Sequence, residues 1–172
     1  MTSNTDRPER PEGFKRVSAA LAERQHPREP LWLEATARTS QEAADALGVS
    51  LGQIAKSVVF RRKADDAAVM VIASGDLRVD EKKLKELTGP LGRADADYVK
   101  ARTGFSIGGV SPLGFAPVQG EGPLVFIDRE LFRFDVIWAA AGHPNGVFPM
   151  SPDQLVVLTG APVIDAMQLP AP

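Results

Sequence analysis

The chain has 172 residues, 44% of them hydrophobic, with 20 basic and 22 acidic side chains for a formal net charge of -2. That length suits one ordinary domain with a substantial core, and the charge balance gives no global basic surface for a long stretch of nucleic acid. Cysteine is absent, which excludes thiol nucleophiles, iron–sulfur clusters, thiolate zinc sites and disulfides.

Met1 to Glu12 is polar and rich in Pro, Arg and Glu, without the apolar core of a signal peptide. Residues 1–10 read as a disordered tail and 11–170 as a single domain, with a cytoplasmic location expected. Gly13 to Arg24 is expected to form a helix, since Phe14, Val17 and Leu21 share one face. Pro27 and Pro30 end that pattern, and Trp32-Leu33 begins an extended piece. Thr39 with Glu42 forms a capping-box pair for a helix over Ser40 to Leu47, which Gly48 closes. Ser50 with Gln53 repeats the device for a helical turn over Leu51 to Ala55. Lys56 to Arg61 is then a β-branched run typical of a buried strand, and it forms a hairpin with Ala67 to Ala73 across a turn at 63–66.

Asp80 caps a helix from Glu81 to about Leu87, with Leu84 and Leu87 expected inward. Gly89-Pro90 ends it, and a short helix follows around Asp95 to Ala101. Thr103 to Gly122 is rich in Gly and Pro and has little regular pattern, a composition that in a compact domain points to function. Leu124 to Ile127, Val136 to Ala140 and Val147-Phe148 read as strands, the last two joined by a turn at 142–146. Ser151-Pro152-x-Gln154 starts a helix that ends near Gly160, and Val163 to Asp165 adds a short strand. The irregular alternation lacks the glycine fingerprint of a doubly wound sheet. An α+β domain is expected, with a mixed, curved, partly barrel-like sheet flanked by helices.

Three features can carry chemistry. Lys56 lies among Ile54, Ala55, Val58, Val59 and Phe60, so its amine either snorkels to the surface or enters a cleft as a positive charge. The phosphate-loop reading of Gly52-x-x-x-Lys56-Ser57 fails, because the glycine before the lysine is missing and a strand follows where a helix is required. Gly108-Gly109-Val110-Ser111-Pro112 with Gly114 lets backbone N–H groups approach a ligand, although a plain double-glycine turn explains it about as well. His143 follows an apolar strand and reads equally as a ligand contact or base and as a turn residue bonded to backbone. No HxH or HExxH spacing is present, so a histidine-rich metal site is not expected, and the reading calls for no cofactor. Ser57, Ser106 and Ser111 all lie outside a G-x-S-x-G elbow, which argues against a Ser–His–Asp triad.

In order, the motifs resemble one family. They run from Thr39-Ser-Gln-Glu-Ala-Ala-Asp-Ala-Leu-Gly-Val through Gln53-Ile-Ala-Lys56-Ser-Val-Val-Phe to Gly75-Asp-Leu-Arg-Val-Asp80 and Lys82-Lys83-Leu84. Thr103-Gly-Phe, Gly108-Gly-Val-Ser-Pro112-Leu-Gly114, Asp128, the Trp138 to Asn145 run and Leu158-Thr-Gly-Ala161 follow. This set resembles the YbaK family of aminoacyl-tRNA deacylases, relatives of the editing domain of bacterial prolyl-tRNA synthetases. The resemblance implies a trans-editing hydrolase that removes a small mischarged amino acid, on tRNA for proline or another pairing. It makes Lys56 the essential residue beside the phosphate and ribose of the terminal adenosine. It also makes the Gly108 to Pro112 loop the lining of the ester site and puts His143 near the same pocket.

On that footing Lys56, Gly108 and Gly109 are the expected catalytic residues, the glycines through N–H groups facing an oxyanion. Ser57, Phe105, Ile107, Val110, Ser111, Pro112, Gly114 and His143 are expected to bind substrate, with Phe105, Ile107, Val110 and Leu113 as pocket walls or as ordinary core. The implied partners are the aminoacyl-tRNA 3′ end and, as an option left open, an aminoacyl-tRNA synthetase. No membrane is implied, and the chain would be a monomer or weak dimer. The alternatives are a non-catalytic module that binds a tRNA end or a synthetase, and a hydrolase of another small ester or amide.

Overall fold

The computed structural model describes residues 9–169, so the expected tail at 1–10 lies, but for its last two residues, outside the described part. Helix α1, Glu12–Glu23, turns Val17 and Leu21 into the core. After β1, Leu31–Trp32, the chain enters α2, Ser40–Leu47, where the Thr39 hydroxyl accepts from the Glu42 N–H at 3.1 Å and Gly48 closes the helix at φ 68°. Only half of that capping box forms, because the Glu42 carboxylate meets the Thr39 hydroxyl. The Ser50 N–H donates to the Gln53 side chain at 3.0 Å, fixing a 3-10 turn at Leu51–Gln53. Strand β2, Ile54–Arg62, begins earlier than its β-branched run because Ile54 and Ala55 pair with a distant strand. The hairpin partner is β3, Ala68–Ser74, buried along its whole length.

Strand β4, Arg78–Val79, leads to α3, Glu81–Thr88, capped by Asp80. Leu84 is fully buried as expected, but Leu87 is 58% exposed. Three residues on, a helical side chain is rotated by about 60° from its predecessor, and the apolar stripe of this two-turn helix is only one residue wide. Next come β5, Leu91–Arg93, and α4, Ala96–Thr103, capped by Asp95. The stretch from Gly104 to Pro123 contains neither helix nor strand. The chain finishes with β6, Leu124–Asp128, a 3-10 turn at Arg129–Arg133, β7, Ile137–Ala140, and β8, Gly146–Met150. Helix α5, Pro152–Thr159, then precedes β9, Val163–Ile164, and β10, Met167–Gln168.

The strands form an α+β domain around a mixed, partly curved sheet in the order β1-β8-β7-β2-β3-β6-β9, with β5 also on β2 and β10 paired to β4. Pairings β2–β7, β3–β6 and β6–β9 are parallel, whereas β2–β3 and β7–β8 are antiparallel. Successive residues of β3 feed two cores, Met70 and Ile72 on one face and Val69, Val71 and Ala73 on the other. The edge of β2 away from β3 is shared unevenly. Strand β7 takes only Ile54 and Ala55, β5 takes Phe60 to Arg62, and residues 56–59 between them have no strand partner on that side. Among the described residues no helix is long and apolar enough to cross a membrane.

Asp128 is wholly buried at the end of β6, accepting from the N–H groups of Ala166 at 2.8 Å and Glu130 at 2.9 Å. Burial pushes its carboxyl above the usual range, and the two N–H donors oppose that shift. Asp128→Ala would leave both donors unpaired, one of them buried, for a loss of about 3 kcal/mol by the cost of charged hydrogen bonds. Denaturant titration checks this: a midpoint equal to that of the unmodified chain would mean the carboxylate is no structural tie.

Candidate functional site

Where β2 lacks a strand partner, a cavity of about 330 Å³ opens, within the size range of small-molecule sites. Lys56 to Val59 form its floor. The segment Ala37 to Ser40 and Ala43 of α2, Ile107, Gly108 and Val110 of the long loop, and Trp138 to Ala140 of β7 enclose it. Lys56 and Gly108, the first residue of the double-glycine bend, therefore both line one cavity.

Strand alternation decides what each β2 side chain does there. Lys56 is opposite Ala73 and Ser57 opposite Ile72, so the two project to opposite faces of the sheet. The Lys56 ammonium donates to the Leu77 carbonyl at 2.6 Å, which engages one of its three donors. Burial pushes its pKa below the ordinary lysine value, against the pull of Asp76 and with the push of Arg78. The turn that holds it is itself braced. Arg133 reaches both Asp76 carboxylate oxygens, at 2.9 and 3.2 Å, and the Ser74 hydroxyl at 2.8 Å. That guanidinium hydrogen bond holds the Asp76 carboxyl below its usual range.

The Ser57 hydroxyl is buried with no hydrogen-bond partner among the described residues. A buried polar atom left unpaired costs about 1–3 kcal/mol, and this one belongs to a residue of the cavity floor.

The loop departs from expectation at Gly109. Its N–H donates to the Ser106 carbonyl at 3.0 Å, closing a tight turn, so it does not face a ligand. What Gly109 provides is closeness: a Cβ there would lie 2.7–2.9 Å from the backbone of His143. Gly108, at φ +94°, makes the bend. Among the described residues the N–H groups of Gly108 and Val110, both lining the cavity, have no acceptor.

Residues 34–158 match the model of the aminoacyl-tRNA editing domain. The chain belongs to that family. It is 36% identical over 123 residues to YwhH of Bacillus subtilis (strain 168), covering 71% of this chain and 75% of that protein. To a proline–tRNA ligase of Thermoanaerobacter sp. (strain X514) it is 28% identical over 119 residues, 67% of this chain but only 20% of that enzyme. Among solved structures, a protein proposed as a trans-editing enzyme for prolyl tRNA synthetase superposes with a TM-score of 0.83 at 36% identity, covering 93% of this chain and 99% of that one. The hypothetical protein APE2540 does so at 0.81 and 31%, covering 89% and 99%.

The other site residues anticipated from the editing-domain resemblance do not all reach the cavity. Ile107 lies on its rim, 59% exposed. Phe105 is buried in the main core, and Leu113 packs there with it. Ser111 is fully buried, with its hydroxyl accepting from the Leu113 N–H at 3.3 Å. Pro112 and Gly114 border a separate, wider depression beside Arg24 and Leu158. His143 is a neighbour of the cavity without lining it: Gly146 and Val147 from the same segment do so. Its Nδ1 accepts from the Asn145 N–H at 3.0 Å and its ring stacks on Trp32 at 4.9 Å. Burial, helped by the Arg38 cation, lowers its pKa and favours the neutral ring.

Among the described residues, no group of three or more His, Asp or Glu side chains is arranged to hold a metal ion. One cation went unread in the sequence. Arg38 borders the cavity, and its stem lies 3.5 Å from where a Gly108 Cβ would be. No local pattern marks it, because its relation to Gly108 exists only in the folded chain.

Proposed function

We propose that this chain is an aminoacyl-tRNA deacylase acting in trans in the cytoplasm, which hydrolyses the ester of a small mischarged amino acid, on tRNA for proline. The observation that carries this reading is one nucleoside-sized cavity in an editing-domain protein, lined by Lys56 and by Gly108 and Val110, whose N–H groups have no acceptor among the described residues. The names of its relatives supply the proline assignment. An aminoacyl ester is already activated, so catalysis needs orientation and charge stabilisation more than a strong nucleophile.

Lys56, with two donors left after Leu77, orients the terminal adenosine as a point charge. Gly108 and Val110 stabilise the oxyanion, each such donor being worth about 3 kcal/mol in the transition state. The attacking group is water or the neighbouring ribose hydroxyl. Selectivity follows from volume, one methylene changing transition-state binding by about 1–3 kcal/mol. A panel of mischarged tRNAs tests the proposal: faster hydrolysis of at least one small aminoacyl ester is expected, and none above the uncatalysed rate would refute it.

Ser57 separates a site role from a packing role. Ser57→Ala removes an unpaired buried hydroxyl, so stability should hold or rise by about 1 kcal/mol. Deacylation should nevertheless fall about tenfold if substrate provides the missing partner, on the order of one hydrogen bond. Thermal melts alongside kcat/KM read both, and full activity would remove Ser57 from the site.

A further inference from the structure

Two residues with cationic side chains line the cavity, Lys56 and Arg38, and they differ in one respect. The Lys56 amine is already bonded to the Leu77 carbonyl, whereas Arg38 is exposed and makes no salt bridge or side-chain hydrogen bond among the described residues. Most arginines whose heads are unpaired are simply solvated, but three features set Arg38 apart. Its backbone is fixed on both sides, by the Ala37 N–H on the Pro144 carbonyl at 2.9 Å and by Thr39 as the cap of α2. Its stem packs beside Gly108, at ordinary van der Waals distance (3.5 Å) from where a Cβ would lie. The first turn of α2, the positive end of that helix, borders the same cavity through Thr39 and Ser40.

We propose that Arg38 is a second phosphate ligand of this site, joining Lys56 in gripping the 5′-phosphate of the nucleotide whose nucleoside occupies the cavity. Resting on the function proposed above, this assigns it the phosphodiester that joins the terminal adenosine to the rest of the tRNA strand. A planar guanidinium offers paired donors that match two phosphate oxygens, which an ammonium cannot do. The two cations then act together: Lys56 lies beside phosphate and ribose and orients the ester, and the exposed Arg38 adds a paired grip on the strand.

The test uses adenosine and adenosine 5′-monophosphate as probes, titrated by NMR or calorimetry into the whole chain and into Arg38→Ala, Arg38→Gln and Arg38→Lys. The unmodified protein should bind the monophosphate about tenfold more tightly than adenosine, an advantage that shrinks as salt is raised. Arg38→Ala and Arg38→Gln should remove most of that advantage with adenosine affinity kept, and Arg38→Lys should restore part of it. No phosphate advantage in the unmodified chain, or an equal loss for both probes in the variants, overturns the assignment. Because these readouts are binding, they stand apart from hydrolysis: a chain that binds the monophosphate through Arg38 yet cleaves no aminoacyl ester would sink the deacylase reading alone.

Discussion

Lys56→Ala is expected to yield a folded protein whose hydrolysis of a mischarged tRNA has fallen by about 100- to 1,000-fold, the effect of removing one preorganised electrostatic group from an active site. The folded state should survive because the side chain contributes a single hydrogen bond, to the Leu77 carbonyl, worth about 1.5–3 kcal/mol for a charged donor and offset in part by the desolvation of the half-buried amine. The turn that receives it is held independently by Arg133, Asp76 and Ser74. Lys56→Arg keeps the charge but exchanges a compact ammonium for a broad fork in a half-buried position, so only partial recovery is expected. The pH profile offers a second readout. Since burial lowers the amine's pKa below the ordinary lysine value, enzymatic turnover, corrected for spontaneous ester hydrolysis, should decline at a lower pH than a free lysine would dictate. Lys56→Arg should lose that alkaline decline. Circular dichroism and thermal melts separate the outcomes: an unfolded Lys56→Ala would make the residue structural, and an active one would remove it from catalysis.

Much of this was written locally. The cap residues Thr39, Ser50, Asp80, Asp95 and Ser151 each sit one residue before the element they start, because a cap acts on N–H groups only two or three residues away. The apolar run of β3 is likewise legible, being buried on both faces. What could not be read is what depends on distant chain. The gap along β2 arises from β5 and β7 taking different ends of one edge, and neither partner is named by the composition of β2. Strands β4 and β10, two residues each, exist only because they find one another. At the site, Lys56 stood out as a charge in an apolar strand, yet its carbonyl partner is backbone, which carries no side-chain signature. Gly109 does mark a place where the backbone must come close, but the approach is to His143.

That contact leads to the second large effect. Gly109→Ala is expected to destabilise the fold by about 2–3 kcal/mol, at the upper end of overpacking costs, and to lower deacylation by about 100-fold. Gly109 is not among the residues at positive φ, so the cost is steric and not conformational. The new methyl would lie 2.7 Å from the His143 Cα, 2.8 Å from its N and 2.9 Å from its carbonyl carbon, all backbone atoms that cannot rotate away. One of two segments must shift. The turn around His143 is tied to the chain before Arg38 through the Asn145 side chain on Leu33, at 2.8 Å, and the Ala37 N–H on Pro144. The loop is therefore the part that yields, carrying the N–H groups of Gly108 and Val110 with it. A displacement of about 1 Å in a positioning group is enough for a 100-fold loss. Gly160→Ala supplies the comparison: its φ is +66° with nothing within 4 Å, so it incurs left-handed strain of about 1 kcal/mol without a clash and remote from the cavity. Its melting temperature should fall with kcat/KM unchanged, whereas Gly109→Ala should lose both. If Gly109→Ala matches the unmodified chain in melting temperature and turnover, the loop is not held by its approach to His143, and the oxyanion role of Gly108 and Val110 loses its structural basis.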